Sequence, residues 1–575
     1  MAHRRSVVIL APNSFARFLG SAVESQFQLL LKDGVLASLH NLDLLLNSPL
    51  KSPRLDNGFK ETNPMAGYYL ESFLRLQGYE ARTVFDWSDD SELDNALRSE
   101  PLAIALSTTY ITDTELLSRC LESLRARAGS VPIVVGGPFI WKQKIELTRD
   151  HSPERRTQMA RFGVDILADC LFGHCDRPIL QEPIYVAHEF GEHTLVRVLS
   201  KLAEGRSTTR ELVDIPNLVL ALDDGSWYVT PSAPEPVAID ECYTRWDLVD
   251  DMPAMVPIRA SVGCPYRCRY CDFIELHPTV IMRSADSLAS EMELARTRGG
   301  RFFGFIDDNI FLSKKRIAQI THTLLDRELD VIWGGFFRVD RIDEANIDDL
   351  AASGCRFGLC GIESGDDAQL KRMNKGCNRE EARRGIELAV AAGMNLNLSL
   401  LVGFPGETDE TIGSTIEYLN SLPTACRGFA SWLAYPFYLL PSTGADEPDF
   451  RKEFRLTGRR ANWEHATMSY ADAVGRWAPE MFRRIVLPYH YYAGDAPRWW
   501  PVARREEGFA LRRRLTEGFL DRLPSGEIQE RFAALIRFLA ERERIEGGVP
   551  HWNELLAERG KQPGERAGYG GAFSQ

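Results

Sequence analysis

The 575-residue sequence predicts an α/β protein: a Rossmann-like domain first, a partial (β/α)6 barrel second and a mostly helical C-terminal region last. Two observations predict this. Short apolar runs alternate with amphipathic stretches through residue 445, as in parallel sheets covered by helices. Beyond that point the segments are charged and mostly have helical periodicity. The 44% apolar and 26% charged residues are ordinary globular values. We place the units at 1–190, 191–250, 251–445 and 446–575.

The first unit, residues 1–190, begins with the apolar run at 6–12. This run has about six apolar residues, so we interpret it as a first strand and not as a signal peptide. Further strands are predicted at 102–111, 131–139 and 163–169, with helices between them. Ligands of such sheets bind beyond the carboxyl ends of the strands, although a glycine pair there could form only a tight turn. The candidate ligand contacts are Ser107, Thr108, Thr109, Gly136 and Gly137.

A linker at 191–250 precedes the second unit, in which six apolar strand-like runs lie between residues 251 and 445. Helical stretches alternate with these runs, for example at 284–298, 314–326 and 379–392. Six βα repeats predict a partial barrel, whose functional groups lie on the loops that follow the strands.

Three cysteines follow the first barrel strand in "SVGCPYRCRYCDF": Cys264, Cys268 and Cys271. Their spacing is too tight for an ordinary disulfide framework, and a closed zinc site would need a fourth ligand. Three thiolates can bind three irons of a [4Fe–4S] cluster and leave the fourth iron open to a substrate or cofactor. Zinc with an external fourth ligand is the alternative for these thiols.

This motif resembles that of the radical S-adenosylmethionine (SAM) superfamily, which has an aromatic residue before the last cysteine, here Tyr270. Further segments resemble the family in order: "GFIDDNIF", "GGFFRVDRID", "GLCGIESGDDAQLKRMNKG" and "LLVGFPGET". The resemblance implies that the open iron chelates SAM and that one electron splits it to a 5′-deoxyadenosyl radical. The SAM contacts it implies are Tyr270, Asp307, Asp308, Arg338, Glu363, Ser364, Gly403, Pro405 and Gly406. Taken singly, the carboxylates could instead be solvated strand ends.

The first two units resemble the cobalamin-binding class of this superfamily. The junction "EFGEHTLVRVLSKLAEG" and "DIPNLVLALDDGSWYVTP" is similar to that class's linker, with Asn217 where glycine is usual. No Asp-x-His-x-x-Gly motif supplies an axial histidine, so the resemblance implies base-off cobalamin beside the contacts predicted for the first sheet. The alternative is a degenerate domain that has lost the cofactor.

The C-terminal region, 446–575, is predicted to be mostly helical with a terminal tail. An aromatic segment at 487–501 is interpreted as core, with a substrate-gripping role as the alternative. His465 and His490 are interpreted as structural.

A second cluster formed by Cys355, Cys360 and Cys377 is an alternative that we disfavour, because the first two flank a buried-looking strand.

The resemblance implies a C-methyltransferase of specialised metabolism that acts on a small molecule or peptide with a 5′-deoxyadenosyl radical and methylcobalamin. A radical cyclase without methyl transfer and a polar methyltransferase of the tryptophan 2-methyltransferase type are the alternatives. An external electron donor such as flavodoxin or ferredoxin is expected. A net charge of −13 disfavours nucleic acid as a partner, and we expect a cytoplasmic protein without a membrane partner, because no apolar run approaches a membrane span.

Overall fold

The computed structural model describes the two predicted α/β units and the beginning of the C-terminal region. The described residues are 5–12, 29–32, 35–38, 63–87, 90–111, 114–149, 183–221, 227–253, 255–423, 427–440, 443–459, 462–473, 477, 480–481 and 484–485. The predicted strand at 163–169, the aromatic segment at 487–501 and His490 lie outside these ranges. Among the described residues, no helix has the length and apolar character needed to cross a bilayer.

Nine strands and six α-helices make up the first part of the described chain. The strands are β1 (Ser6–Leu10), β2 (Leu29–Lys32), β3 (Val35–Ser38), β4 (Glu80–Val84), β5 (Ala103–Ser107), β6 (Ile133–Gly136), β7 (Ile184–Val186), β8 (Leu218–Ala221) and β9 (Trp227–Val229). The helices are α1 (Met65–Leu76), α2 (Ser91–Leu97), α3 (Thr114–Ala128), α4 (Pro138–Arg149), α5 (Glu192–Ala203) and α6 (Thr209–Leu212).

The first sheet has the strand order β4–β1–β5–β6–β7–β8–β9. Its first five strands in this order are parallel, and apolar side chains of α1 and α5 cover one face while those of α3 and α4 cover the other. The linker contains a hairpin of β8 and β9, which extends this sheet with antiparallel pairing. Asn217 precedes β8 with φ of +65°, the left-handed conformation that explains why glycine suits this position.

Eight strands and seven helices make up the second unit. The strands are β10 (Val256–Ile258), β11 (Ser261–Val262), β12 (Ile281–Met282), β13 (Phe302–Phe305), β14 (Ile332–Phe336), β15 (Cys355–Glu363), β16 (Asn395–Val402) and β17 (Phe429–Pro436). The helices are α7 (Phe273–Leu276), α8 (Ala285–Thr297), α9 (Lys314–Asp326), α10 (Ile347–Ala352), α11 (Asp367–Arg372), α12 (Arg379–Ala391) and α13 (Asp409–Asn420), with 3-10 turns at Trp246–Leu248 and Val339–Arg341.

The predicted six-stranded barrel is confirmed: β10, β13, β14, β15, β16 and β17 pair in sequence order and all run parallel. Along β16 the leucines belong to the main core under the helices, so the alternate residues face the concave side. A separate apolar cluster of Phe302, Ile332 and Phe357, with Met255 against it, fills the amino end of that concave side.

The described start of the C-terminal region contains a small antiparallel sheet, which the sequence did not predict, between two short helices. After α14 (Pro448–Phe454), the chain forms an antiparallel sheet of β18 (Thr457–Arg459), β19 (Asn462–His465) and β20 (Met468–Ser469), followed by α15 (Tyr470–Asp472). Trp463 and His465 are buried while their neighbours Asn462 and Glu464 are exposed. This alternation has the strand period of two, which the high charge of the segment obscured.

Candidate active site

The three motif cysteines lie on the loop between β11 and β12, directly after the first barrel strand. Cys268 is buried, Cys264 and Cys271 are half-buried, and all three thiols are free. Gly263 begins the loop with φ of +83°, and a Cβ there would lie 2.9 Å from the carbonyl oxygens of His277 and Thr279. Glycine is therefore required for the chain to turn into the cysteine loop.

The donor set suits a cluster with a protein-free iron. Burial raises the pKa of Cys264, and it raises that of Cys271 to about 12; in both cases the nearby Cys268 adds to the rise. Buried thiols of this kind become deprotonated ligands when a bound cation offsets the negative charge of the thiolates. Among the described residues, no three His, Cys, Asp or Glu side chains could hold one metal ion. A [4Fe–4S] cluster does not need three side chains on one ion, because each thiolate binds a separate iron.

Residues after β13 hold the start of the cysteine loop. The Asp307 carboxylate accepts hydrogen bonds from Ala260 N at 2.9 Å and Ser261 Oγ at 2.6 Å, and burial raises its pKa to about 6. Asn309 Nδ2 lies 4.0 Å from Cys264 Sγ. Asp308 is half-buried near His277, and its pKa is raised mainly by burial. The predicted carboxylates thus lie against the cysteine loop, with Asp307 bonded to the strand end that leads into it.

A buried triangle of polar groups joins the cysteine loop to β15. Glu363 Oε1 accepts hydrogen bonds from Tyr270 Oη and Lys375 Nζ, each at 2.9 Å, and Lys375 Nζ donates to Tyr270 Oη at 3.1 Å. Burial and the adjacent Glu363 raise the pKa of Tyr270 well above its usual value, so its hydroxyl stays a donor. Burial by itself would lower the pKa of Lys375, but the adjacent Glu363 carboxylate raises it overall. Lys375 and Glu363 therefore form an ion pair. Glu363 has φ of +63°, which turns its carboxylate back over Gly361.

Arg338 fixes the other side of the loop. Its guanidinium binds both carboxylate oxygens of Asp340, at 3.1 and 3.2 Å, and donates to Lys375 O at 2.7 Å. The Tyr266 ring, between the first two motif cysteines, stacks on it at 4.0 Å. The donors of Arg338 are thus engaged with protein groups that shape the loop.

The predicted glycine-rich turn after β16 packs against the C-terminal sheet. Gly403 and Gly406 have φ of +89° and +85°. The buried Glu407 carboxylate accepts a hydrogen bond from Gly403 N, and burial raises the Glu407 pKa to about 8. His465 Nε2 lies 3.2 Å from Gly403 O. The turn, including Pro405, is therefore held from two sides.

Ser364, predicted as a SAM contact, lies just beyond the triangle. Its hydroxyl is 3.1 Å from Thr415 Oγ1 and accepts from Asp366 N at 3.1 Å. Its hydroxyl thus already has partners on α13 and at the start of α11.

The predicted contacts of the first sheet come together at the ends of β5 and β6. Thr108 N and Oγ1 both donate to Gly136 O at 2.9 Å, and Ser107 Oγ lies 2.9 Å from Thr109 Oγ1. Gly137 has φ of +112°, and a Cβ there would meet Thr108 Oγ1 at 2.9 Å. This close approach gives a compact polar edge at the carboxyl ends of β5 and β6, where ligands of such sheets bind.

Helix α4 and the segment after β7 contact the cysteine-bearing end of the barrel. Lys142, in the second turn of α4, pairs with Asp272 at 2.5 Å, and Asp272 directly follows Cys271. His277, at the end of α7, hydrogen-bonds Glu189. The Arg259 guanidinium lies 5.8 Å from the centre of the Phe190 ring. Loops of the first sheet therefore contact the barrel at its cysteine-bearing end.

Sequence reasoning missed Lys375, Tyr266 and Asn309. Lys375 stands in "KRMNKG", where one more cation in a basic run carries no signal. Tyr266 and Asn309 lie inside segments that the sequence had flagged, and their roles follow only from side-chain directions.

Comparison with known proteins identifies the barrel. Residues 258–419 match the family model of the radical SAM superfamily. An uncharacterized methyltransferase of Pyrococcus horikoshii is 26% identical over 256 residues, which are 43% of this chain and 54% of the relative. The anaerobic magnesium-protoporphyrin IX monomethyl ester cyclase of Rubrivivax gelatinosus is 24% identical over 259 residues, 43% of this chain and 46% of the relative. The chain thus spans about half the length of these two relatives.

One solved structure covers nearly the whole chain. The cobalamin-dependent S-adenosylmethionine radical enzyme OxsB, with aqua-cobalamin bound, matches with a TM-score of 0.54 and 14% identity. The match covers 97% of this chain and 78% of that one. At this identity the likeness establishes a shared fold, in agreement with the predicted α/β fold class.

Proposed function

We propose, from the premise that residues 258–419 form a radical SAM domain, that this chain is a cobalamin-dependent radical SAM C-methyltransferase. The observation that carries the proposal is the ion pair between helix α4 of the first sheet and the cysteine loop of the barrel. Lys142 on α4, which begins at the polar edge of the first sheet, pairs with Asp272 next to Cys271. Two cofactors that act on one substrate have to meet in this way, because group transfer needs reacting atoms within about 3–3.5 Å.

The cluster and SAM would supply a 5′-deoxyadenosyl radical, and the corrinoid would supply the methyl group. Cys264, Cys268 and Cys271 would hold the cluster. The Tyr270–Glu363–Lys375 triangle orders the last loop segment, and Arg338 with Tyr266 orders the first. The proposed SAM contacts lie in the cysteine loop or after barrel strands: Tyr270, Asp307, Asp308, Arg338, Glu363, Ser364, Gly403, Pro405 and Gly406.

At the edge of the first sheet, Ser107, Thr108, Thr109, Gly136 and Gly137 are the proposed corrinoid contacts. The relative named a methyltransferase favours methyl transfer as the reaction. The substrate is a small molecule or peptide, and the electron comes from an external donor of the flavodoxin or ferredoxin type.

Anaerobic reconstitution tests the cluster assignment. Replacing Cys264, Cys268 and Cys271 together by alanine should remove the cluster's iron, its sulfide and its visible absorbance. Cys242→Ala is the matched control, because this half-buried thiol lies outside the barrel, and it should leave them unchanged. Iron and sulfide that persist in the triple variant would refute the assignment.

Methyl-labelled SAM tests the reaction. With reduced holoenzyme, methyl transfer predicts that label leaves SAM and is recovered in the corrinoid fraction. The second candidate function is oxidative cyclisation, favoured by the 24% identity to the Rubrivivax gelatinosus cyclase. In that case 5′-deoxyadenosine is released and all the label stays in methionine.

A further inference from the structure

One buried side chain inside the barrel has no hydrogen-bond partner. Asn397 lies in β16 and is 3% exposed, yet neither its Oδ1 nor its Nδ2 has a partner among the described residues. Its neighbours Leu396 and Leu398 belong to the core under the helices, so Asn397 faces the concave side. Buried amides are normally satisfied, and an amide with both ends free has a donor and an acceptor available to a bound molecule.

Asn397 lies further along β16, towards its carboxyl end, than the residue that pairs with the apolar cluster at the amino end of the barrel. Phe357, a member of that cluster, pairs with Asn395, whereas Asn397 pairs with Leu359 two residues nearer the carboxyl end. Towards the carboxyl end the next pair is Gly361 and Ser399, both half-buried and small. Asn397 therefore lies between the amino-end cluster and the carboxyl ends of the strands, where the proposed SAM contacts are.

At the same level of the barrel as Asn397, the ends of β13 and β14 carry exposed apolar side chains. Phe336, at the end of β14, pairs with Leu359 on β15. Ile306 directly follows β13, whose last residue Phe305 pairs with Gly335, the residue before Phe336. Phe336 is 48% exposed and Ile306 is 44% exposed, although both lie at strand ends inside the barrel. Exposed apolar side chains at the same level of the barrel as a buried unpaired amide match the composition of a ligand pocket, which has a few orienting polar groups among apolar ones.

We propose that Asn397 recognises the substrate, and that the substrate carries a planar amide-like edge, a hydrogen-bond donor beside an acceptor as in a lactam, primary amide or pyrimidinone. The carbonyl of Asn397 accepts from that donor and its NH2 donates to that acceptor, while the ring body packs on Phe336 and Ile306. This inference rests on the proposed function, since it assigns the substrate class of the same site. The adenine of SAM has a similar edge, but the proposed SAM contacts lie at the carboxyl ends of the strands, beyond Ser399.

The test uses two probes on the reconstituted holoenzyme, 2-pyridone and N-methyl-2-pyridone, of which the second lacks the donor. Saturation-transfer NMR titrations give both dissociation constants. We expect 2-pyridone to bind roughly tenfold more tightly than its N-methyl analogue. In Asn397→Leu, which keeps the branched shape but removes the donor and the acceptor, the ratio should fall to about one. Asn420→Leu, on the exposed end of α13, is the control and should keep the wild-type ratio.

Thermal unfolding of the ligand-free chain separates recognition from a structural role. Because the amide is unsatisfied, Asn397→Leu should raise the melting temperature, whereas loss of a structural hydrogen bond would lower it. A lower melting temperature, or a wild-type ratio of about one, overturns the inference. The wild-type ratio needs no variant, so the proposal can be refuted even if Asn397→Leu does not fold.

Two further measurements on the same samples separate this inference from the proposed function. Iron content and SAM cleavage report the proposed function; if both are normal and the probes bind equally, only the inference fails. If the cluster and SAM cleavage are absent, the proposed function fails and the inference with it. The dissociation constant of SAM should change by less than about twofold in Asn397→Leu. A larger rise would assign Asn397 to the cofactor and overturn the substrate assignment.

Discussion

Glu407 is a buried carboxyl whose protonation links stability to pH. It is 2% exposed, and burial raises its pKa from 4.5 to about 8. Between these values the native chain holds a proton that the unfolded chain has lost. The contribution of Glu407 to the free energy of unfolding is therefore complete below about pH 4.5 and decreases as pH rises towards 8. Glu407→Gln stays neutral and can still accept from Gly403 N. It should therefore be more stable than wild type at pH 8, by roughly 3–5 kcal/mol, and equal at pH 4.5.

Urea unfolding at several pH values measures this difference. Glu417→Gln is the control, since Glu417 is exposed on α13, and its stability should follow the wild-type pH curve. The assignment would be wrong if Glu407→Gln and wild type lost stability in parallel between pH 5 and pH 8.

At the same scale, the sequence predicted the site's motif residues but not the partners that hold them. The cysteines, Tyr270 and Glu363 belong to local motifs, and their spacing carries chemical information. Lys375 pairs with Glu363 across twelve residues, through a positive φ at Glu363 and the turn of α11. Such a pairing depends on how a strand end and a helix end meet, which local spacing does not encode. The unsatisfied state of Asn397 is likewise visible only once its neighbours are placed.

At the scale of elements, the turn after β16 depends on glycine and on the C-terminal sheet. Gly403 has φ of +89°, and a Cβ there would lie 2.5 Å from the Trp463 ring. Gly403→Ala should therefore destabilise the chain by roughly 2–3 kcal/mol and weaken SAM binding. Gly413→Ala is the matched control, because Gly413 lies in α13 with nothing within 4 Å of a new Cβ. It should leave SAM binding unchanged and stabilise the helix by about 0.5–1 kcal/mol.

Denaturant titration and equilibrium SAM binding measure the two effects. Equal stability of Gly403→Ala and Gly413→Ala would show that the turn does not need the left-handed conformation.

The elements themselves were predictable where their period was clear. The barrel strands and the helices at 285–297 and 314–326 follow from long apolar or amphipathic runs. The three-residue β7 and the sheet at 457–469 did not, because each strand is short and the second segment is rich in charge. Short strands are stabilised by pairing and by burial of alternate side chains such as Trp463, and the local sequence records little of either.

At the scale of the whole molecule, the function requires the first sheet to stay against the barrel, and the Lys142–Asp272 pair is a direct link between them. The two side chains are 24% and 17% exposed, so the pair is only partly screened by water. We expect Lys142→Ala and Asp272→Ala each to raise the dissociation constant for added aquocobalamin about two- to fivefold. The double variant should bind aquocobalamin no more weakly than the weaker-binding single variant, because both changes remove the same interaction.

Lys201→Ala is the control for that link, because Lys201 pairs with Asp214 at 2.9 Å within the first unit and away from the barrel. It should leave the aquocobalamin dissociation constant unchanged. Iron content is measured in parallel, since Asp272 adjoins Cys271 and a loss of cluster would act separately from the domain contact. Effects of the two single variants that add in the double variant would show that Lys142 and Asp272 act independently. In that case the corrinoid edge and the cysteine loop would be held together by other contacts, such as the Glu189–His277 hydrogen bond.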